Sequence, residues 1–252
     1  MVVINGHLKL KFNINMKEKS NTIPPIKSHS TVWFTADLHF GHKNILKHCP
    51  KRMELCGAKD ENDIEAHDKW LIELWNKTVD KKDEVFIVGD FSFLSTEDTK
   101  KLMGRLNGNK ILILGNHDKS SERMKNYFNN VTQIKERTFK ASNYDFLDEN
   151  LQIYLCHYPL ISWPSKNHGA LMVHGHCHGN IDDLNESSKD LRIDVGLDGK
   201  LANYNFVSLE QLHKAMLDKI ANSPLSDNDE PWKHSLREYA HYIFNELKDG
   251  II

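Results

Sequence analysis

Few features of the 252-residue chain mark a special environment. No stretch approaches the roughly 18 uninterrupted apolar residues that a membrane-spanning helix needs. The opening Met1-Val2-Val3-Ile4-Asn5-Gly6 lacks the charged leader, apolar run and cleavage site of a secretory signal, so cytoplasmic residence is the expectation. Cysteine is scarce: Cys49, Cys56, Cys156 and Cys177 form no C-x-x-C pair, which argues against a zinc ribbon or a thiol redox motif. Cys156 and Cys177 flank candidate ligands, but free cysteine is more often a small buried hydrophobe. An excess of one charge is lacking too. The formal net charge of −2 leaves no global basic footprint for nucleic acid, although a short nucleic-acid end or a free nucleotide stays open as substrate. No internal repeat or low-complexity block is visible. With 39% apolar and 27% charged residues, the composition is that of one α/β domain with a substantial core.

What is present is five short polar clusters, each behind an apolar or β-branched run. Asp37-Leu38-His39 follows residues 31–34, Gly89-Asp90 follows 85–88, and Gly115-Asn116-His117-Asp118 follows 111–114. His157 comes after 151–155, and Gly175-His176-Cys177-His178 after 170–173. Such runs predict buried strands, and in open α/β sheets functional groups gather beyond the carboxyl ends of strands. Carboxylate, imidazole and amide oxygen together suit borderline divalent metals such as Mn, Fe or Zn. Asp37 with His39, and His176 with His178, stand at i, i+2 and so can face one side of an extended segment. Asp90, behind a glycine that permits close backbone approach, is the natural bridge between two ions about 3.5–4 Å apart. A solitary histidine is usually structural or exposed, and His7, His29, His213, His234 and His241 are read so. Four histidines at strand ends beside matching partners are not. His174, in phase with His176 and His178, is expected to support them rather than to ligate.

Around the clusters the pattern alternates. A helix is expected over about residues 62–78, opened by Asn62 with Glu65 three places on, its apolar face formed by Ile64, Leu71, Leu74, Trp75 and Val79. Ser95 with Asp98 repeats the capping signal. Strand, helix and strand to about residue 130 is the pattern of crossover α/β units. Beyond it, strand-like segments at 131–139, 151–155, 170–173 and 191–195 are joined mainly by loops, which predicts a second sheet richer in antiparallel pairs. Leu209, Leu212, Ala215, Met216 and Ile220 share one helical face, and a further stripe includes Trp232 and Leu247. Residues 1–30 read as an N-terminal extension with a hairpin, 31–221 as the main domain, and 222–252 as a linker and docked amphipathic helix.

The ordered set of Asp37-x-His39, Gly89-Asp90, Gly115-Asn116-His117-Asp118, His157 and Gly175-His176-x-His178 resembles the calcineurin-like metallophosphoesterases over roughly residues 31–207. Residues 34–42, Cys49-Pro50-Lys51-Arg52, Trp75-Asn76, His157-Tyr158-Pro159-Leu160 and Trp163 resemble a small bacterial and phage group within that superfamily. The resemblance implies a four-layer α/β (α+β) sandwich of two mixed β-sheets flanked by helices. It implies two divalent metal ions, manganese foremost, with iron, zinc or nickel as alternatives. Asp37, His39 and His178 would hold one, Asn116, His157 and His176 the other, with Asp90 bridging. His117 would lie over the metals as acid or oxyanion stabiliser, with Asp118 orienting it. His42, Arg52 and Trp163 are candidate substrate-binding residues; Arg52 is weighed evenly against a solvated surface, and Trp163 between stacking a base and plugging the core. The implied reaction is phosphoester hydrolysis by a metal-bound hydroxide.

One departure narrows the substrate. Protein serine/threonine phosphatases of the superfamily follow the bridging aspartate with Asp-Arg-Gly, whose arginine grips phosphate; here Phe91-Ser92-Phe93-Leu94 follows Asp90. The related dinucleotide tetraphosphatases drop with them, and the length is short for the DNA-capping domain of the recombination nucleases. The expectation is therefore a phosphodiesterase for small nucleotide-like esters, cyclic nucleotides foremost, with no membrane partner. Alternatives are a phosphomonoesterase, a nucleic-acid end-processing enzyme supported only by the basic stretch 43–52, and a metal-binding scaffold without turnover. No ligand of the family pattern is missing.

Overall fold

The computed structural model describes residues 30–119 and 121–222. The expected N-terminal hairpin and the C-terminal stripe with Trp232 lie outside the described residues. In chain order the elements begin with β1 (Val32–Thr35), α1 (Ile45–His48), α2 (Pro50–Cys56), α3 (Ile64–Thr78), β2 (Glu84–Val88), α4 (Thr96–Met103) and β3 (Asn109–Ile113). They continue with α5 (Ser121–Met124), β4 (Asn130–Thr132), β5 (Ile134–Phe139), β6 (Leu151–Cys156), β7 (Leu171–His174), α6 (Asp182–Ser187), β8 (Arg192–Asp194), β9 (Val207–Ser208) and α7 (Leu209–Asn222). No described helix is long and apolar enough to cross a membrane.

The strands form two mixed sheets, β4-β3-β2-β1-β9 and β5-β6-β7-β8. Burial on both faces explains why residues 32–34 of β1, 85–88 of β2 and 111–113 of β3 are apolar in unbroken runs. Phe34, Phe86, Val88 and Ile113 face the second sheet, where Ile153, Leu155, Val173 and Ile193 meet them together with Leu212 and Met216 of α7. The intervening Val85, Ile87 and Leu112 pack outward against Leu71 and Trp75 of α3 and Leu102 and Met103 of α4. A sheet covered on both faces has no polar phase. Each fully buried Val, Leu, Ile or Phe contributes about 1.5–3 kcal/mol, and a one-residue slip would turn every row onto the wrong face. The outer face of the second sheet is covered differently, by Trp163 and Ala170 against Met172 and Cys156, with α6 beside β8.

Two expectations need correction. Residues 131–139 are not one strand: the chain breaks at Gln133, and β4 joins the first sheet while β5 joins the second. The second sheet is the richer in antiparallel pairing, as expected, with one strand pair of three against one of four and six paired positions in β5–β6 against two in β1–β9. The cap of α3 is Asp63, whose side chain accepts from the Ala66 N–H, not Asn62. Ser95 caps α4 as expected, accepting from the Asp98 N–H at 3.1 Å.

The carboxyl ends of β1, β2, β3, β6, β7 and β8 all precede site residues, and backbone bonds tie these ends together. Asp37 N–H donates to Gly89 O at 3.0 Å, Gly175 N–H to His157 O at 3.1 Å, and Leu197 N–H to Ala36 O at 3.1 Å. The last of these links the two sheets where the clusters meet.

Candidate metal centre

Immediately past the strands the backbone turns into the left-handed region. Asp37 (φ 57°), His39 (56°), Asp90 (53°), His176 (72°) and His178 (48°) all lie there. Such residues cost of order 1 kcal/mol or more each, and they cluster where packing forces a functional geometry. The turns let consecutive side chains converge. The Asp37 carboxylate, fully buried, accepts the His176 N–H at 2.9 and 3.1 Å. Asp90 Oδ1 accepts the His117 N–H at 2.9 Å, which leaves Oδ2 at 3.5 Å from His157 Nε2 and 3.7 Å from His39 Nε2. Two glycines make this approach possible: a Cβ on Gly89 would overlap the His157 ring, and one on Gly115 would overlap the Asp90 carboxylate.

The proton inventory fits a cation. His157 Nδ1 faces a carbonyl, Val88 O, at 2.9 Å and must donate to it. Its Nε2 is then bare in the neutral ring, yet it faces Asn116 Oδ1 at 3.0 Å as well as Asp90. His178 Nδ1 donates to Asp198 Oδ2 at 2.7 Å, which turns a bare Nε2 toward His39 Nε2 at 3.2 Å. Facing lone pairs at these distances need a proton or a metal between them. Without a metal the groups keep protons: burial pushes Asp37 up to about 7, against the partial offset of His178 and His157. Burial opposes charge on His178 too, but the Asp198 hydrogen bond outweighs it and raises the imidazole to about 10. His157 is raised because Asp90 and Asp37 outweigh its burial, whereas His39 is pushed far down, chiefly by burial. A divalent cation would displace such protons, as ligand sites require. Asp37, His39 and His178 offer donor atoms within 4.8 Å of one another, as do Asp37, Asp90 and His157, and Cys49, His178 and Asp198.

The other expected residues divide. Asn116 Oδ1 meets His157 Nε2 at 3.0 Å, whereas His176 stands exposed at the rim, its ring 5.0 Å from that of His157, and belongs to none of these donor groupings. His117 is exposed at the mouth, its ring 5.7 Å from His39 and 4.8 Å from Phe93. His42 stacks on Phe93 at 4.1 Å and, with His39, His48, His117 and His178, lines a cavity of about 400 Å³ completed by Ile45, Cys49 and Asn180.

Asp118 does not hold the His117 ring. It accepts the backbone N–H groups of Asp90, Phe91 and Gly115 at 2.8–2.9 Å and so knots the loops after β2 and β3. Arg52 is neither solvated nor open to substrate; it is completely buried and hydrogen-bonded inside the protein. Trp163 is 5% exposed, its Nε1–H donating to Ala170 O at 2.9 Å, so it plugs the core. Cys156 and Cys177 stay out of the donor groupings among the described residues, while Cys49 Sγ comes to 3.7 Å from His178 Nδ1. Asp198 was missed. Its signal was present, because Val195-Gly196-Leu197-Asp198 follows a strand-like run much as Gly89-Asp90 does.

A family model described as calcineurin-like phosphoesterase matches residues 30–209. The chain is 30% identical over 190 residues to the Gene 66 protein of Mycobacterium phage L5, covering 67% of this chain and 87% of that protein. It is 31% identical over 190 residues to the uncharacterized protein MJ1445 of Methanocaldococcus jannaschii, covering 73% and 89%. A crystal structure of the protein of unknown function AQ665 from Aquifex aeolicus superimposes with a TM-score of 0.53 at 22% identity, over 74% of this chain and all of that one. That last likeness is one of fold.

Proposed function

The chain belongs to the calcineurin-like phosphoesterase family, and on that premise we propose a phosphodiesterase for small nucleotide-like esters that works with two divalent cations. One observation carries the reading: Asp90 Oδ2 stands between His157 Nε2 at 3.5 Å and His39 Nε2 at 3.7 Å, where a carboxylate shared by two ions belongs. Asp37, His39 and His178 would hold one ion, and Asn116, His157 and His176 the other. Bound there, the ions supply Lewis acidity, making a ligated water acidic and offsetting charge on phosphoryl oxygens. Manganese is the ion to try first; the donor types suit iron, zinc and nickel as well.

The remaining work falls to the chain's own groups. His117, exposed beside the cluster, is placed to give a proton from its imidazole to the departing oxygen, a role worth about 10²–10⁴ in rate. His42, braced by Phe93, faces the same cavity and offers a hydrogen bond to a phosphoryl oxygen. The cavity of about 400 Å³ is in the range that takes a small organic ester. Its walls carry imidazoles and, among the described residues, neither lysine nor arginine. The second negative charge of a monoester therefore finds no guanidinium, which favours a diester. Nucleic-acid end processing is not adopted: within the basic stretch Arg52 points inward and Lys51 is paired with Glu54.

The test is hydrolysis of bis-p-nitrophenyl phosphate beside p-nitrophenyl phosphate, on metal-stripped protein resupplied with Mn²⁺. Diester turnover should depend on the metal and fall by about 10³ in Asp90→Asn, the several kcal/mol that such charge stabilisation supplies. Preference for the monoester would make the protein a phosphatase. Silence on both, with metal bound, would favour a scaffold.

A further inference from the structure

Arg52 sits in α2, outside every polar cluster, yet its fork reaches the centre on two sides. Nε donates to Asp198 Oδ1 at 2.8 Å and Nη2 to Asp198 Oδ2 at 2.6 Å, a two-pronged pairing. Nη2 also donates to Asp37 O at 2.6 Å and Nη1 to Leu38 O at 3.1 Å. One side chain thus grips the two peptides that separate Asp37 from His39 and, through Asp198, the ring of His178. The Asp198 contact is directional. It places the proton of His178 on Nδ1 and so turns the free Nε2 lone pair toward His39. Behind Arg52, Nη1 faces His67 Nε2 at 3.4 Å, His67 Nδ1 meets Asp68 at 3.1 Å, and Asp68 accepts the Gly41 N–H at 3.0 Å. The far end of the Asp37–His39 turn is anchored by the same chain of contacts.

Stability alone is a poor reason for this arrangement, because a buried ion pair adds little over apolar residues of the same shape. With both Asp198 oxygens engaged by Arg52 and His178, the grouping of Cys49, His178 and Asp198 is also better suited to holding a ligand than to being a metal position. We propose that Arg52 and Asp198 are positioning residues for one of the two metal positions, the one framed by Asp37, His39 and His178, and set its affinity without touching substrate. This rests on the two-cation reading of the centre. His157, in the other position, is oriented instead by the Val88 carbonyl. Losing a group that orients a metal-bound imidazole typically costs 10- to 100-fold in metal affinity.

The test is a titration of metal-stripped protein with Mn²⁺, free ion being read by electron paramagnetic resonance, with apo unfolding midpoints as the fold control. Wild type should take up two equivalents. Asp198→Asn keeps the shape and loses the charge; Arg52→Lys keeps the charge and loses the fork. Each should weaken one equivalent about 10- to 100-fold and leave the other unchanged. Adding Asn116→Ala to either should then weaken the second equivalent as well. Two unchanged equivalents in both single variants would overturn the clamp and leave the two-cation reading standing. Equal weakening of both equivalents, in step with a lowered apo midpoint, would overturn it as general loss of structure. A wild type that takes up fewer than two equivalents removes the two-cation reading and the clamp together.

Discussion

Arg52 and Arg192 are both buried arginines behind the centre, and their partners differ in kind. Arg52 pairs with a carboxylate. Arg192 works through neutral groups: Nε donates to Asn185 Oδ1 at 2.7 Å, Asn185 Nδ2 to His174 Nε2 at 3.0 Å, and His174 Nδ1 to Gly175 O at 2.8 Å. Its Nη1 reaches Leu160 O at 3.2 Å, in the loop that follows His157. Both arrangements stiffen a turn that carries candidate ligands. The ionic one concentrates its hold in a single pair, whereas the neutral one spreads it along a relay whose donors and acceptors run in one direction. Losing the arginine of the first leaves a buried charge; losing the arginine of the second leaves unmade hydrogen bonds.

The largest expected effect tests that distinction directly. Arg52→Met strands the Asp198 carboxylate and should lower apo stability by about 3–5 kcal/mol, measured by denaturant unfolding. Arg192→Met leaves two neutral acceptors unpaired and should cost about 2 kcal/mol. Equal losses would break the comparison. Acid should separate the two sides next. Burial holds the His174 imidazole down at about 4, below the 6.5 of an unfolded chain. Protonation therefore favours unfolding, so this part of the stability is whole above pH 6.5 and drains as pH falls toward 4. About 2 kcal/mol should be lost between pH 7 and pH 5, and His174→Asn should lack that portion of the loss. Burial works against the Asp198 carboxylate, but the hydrogen bonds from His178 and Arg52 hold its pKa below the ordinary range. Its contribution is present above the unfolded value of about 3.9 and drains only below it, clear of the window in which His174 titrates. The smallest effect sharpens the boundary of the site. Trp163→Phe removes one hydrogen bond and should cost about 1 kcal/mol with KM unchanged; a raised KM would return Trp163 to the substrate.

The strands that carry the candidate ligands were legible because a sheet buried on both faces writes itself as apolar runs, and those residues stand two to five positions past each run. The convergence of Asp37, Asp90, His157 and His178 follows from that placement. Arg52 was not legible. Nothing in a basic local sequence reveals that its partner lies 146 positions away, and a paired guanidinium is one of the few charged groups that burial tolerates. Asp118 misled for a related reason, since its neighbour in sequence, His117, is not its partner in space. The break at Gln133 was invisible because residues 131–139 read as one strand-like stretch with no turn residue between them, and only the separation of two sheets divides them. The two-residue β9 is too short for any periodicity to register.

Five candidate ligands hold their backbone in a region that glycine enters freely. At of order 1 kcal/mol each, their combined load approaches the 5–15 kcal/mol by which a folded domain of this kind is stable at all. Relief by glycine is open only where the side chain holds nothing else: Asp37, Asp90 and His178 carry hydrogen bonds that glycine would forfeit, and His39 fills buried space. The exposed His176 is therefore the turn at which a relative freed of the site should first show glycine.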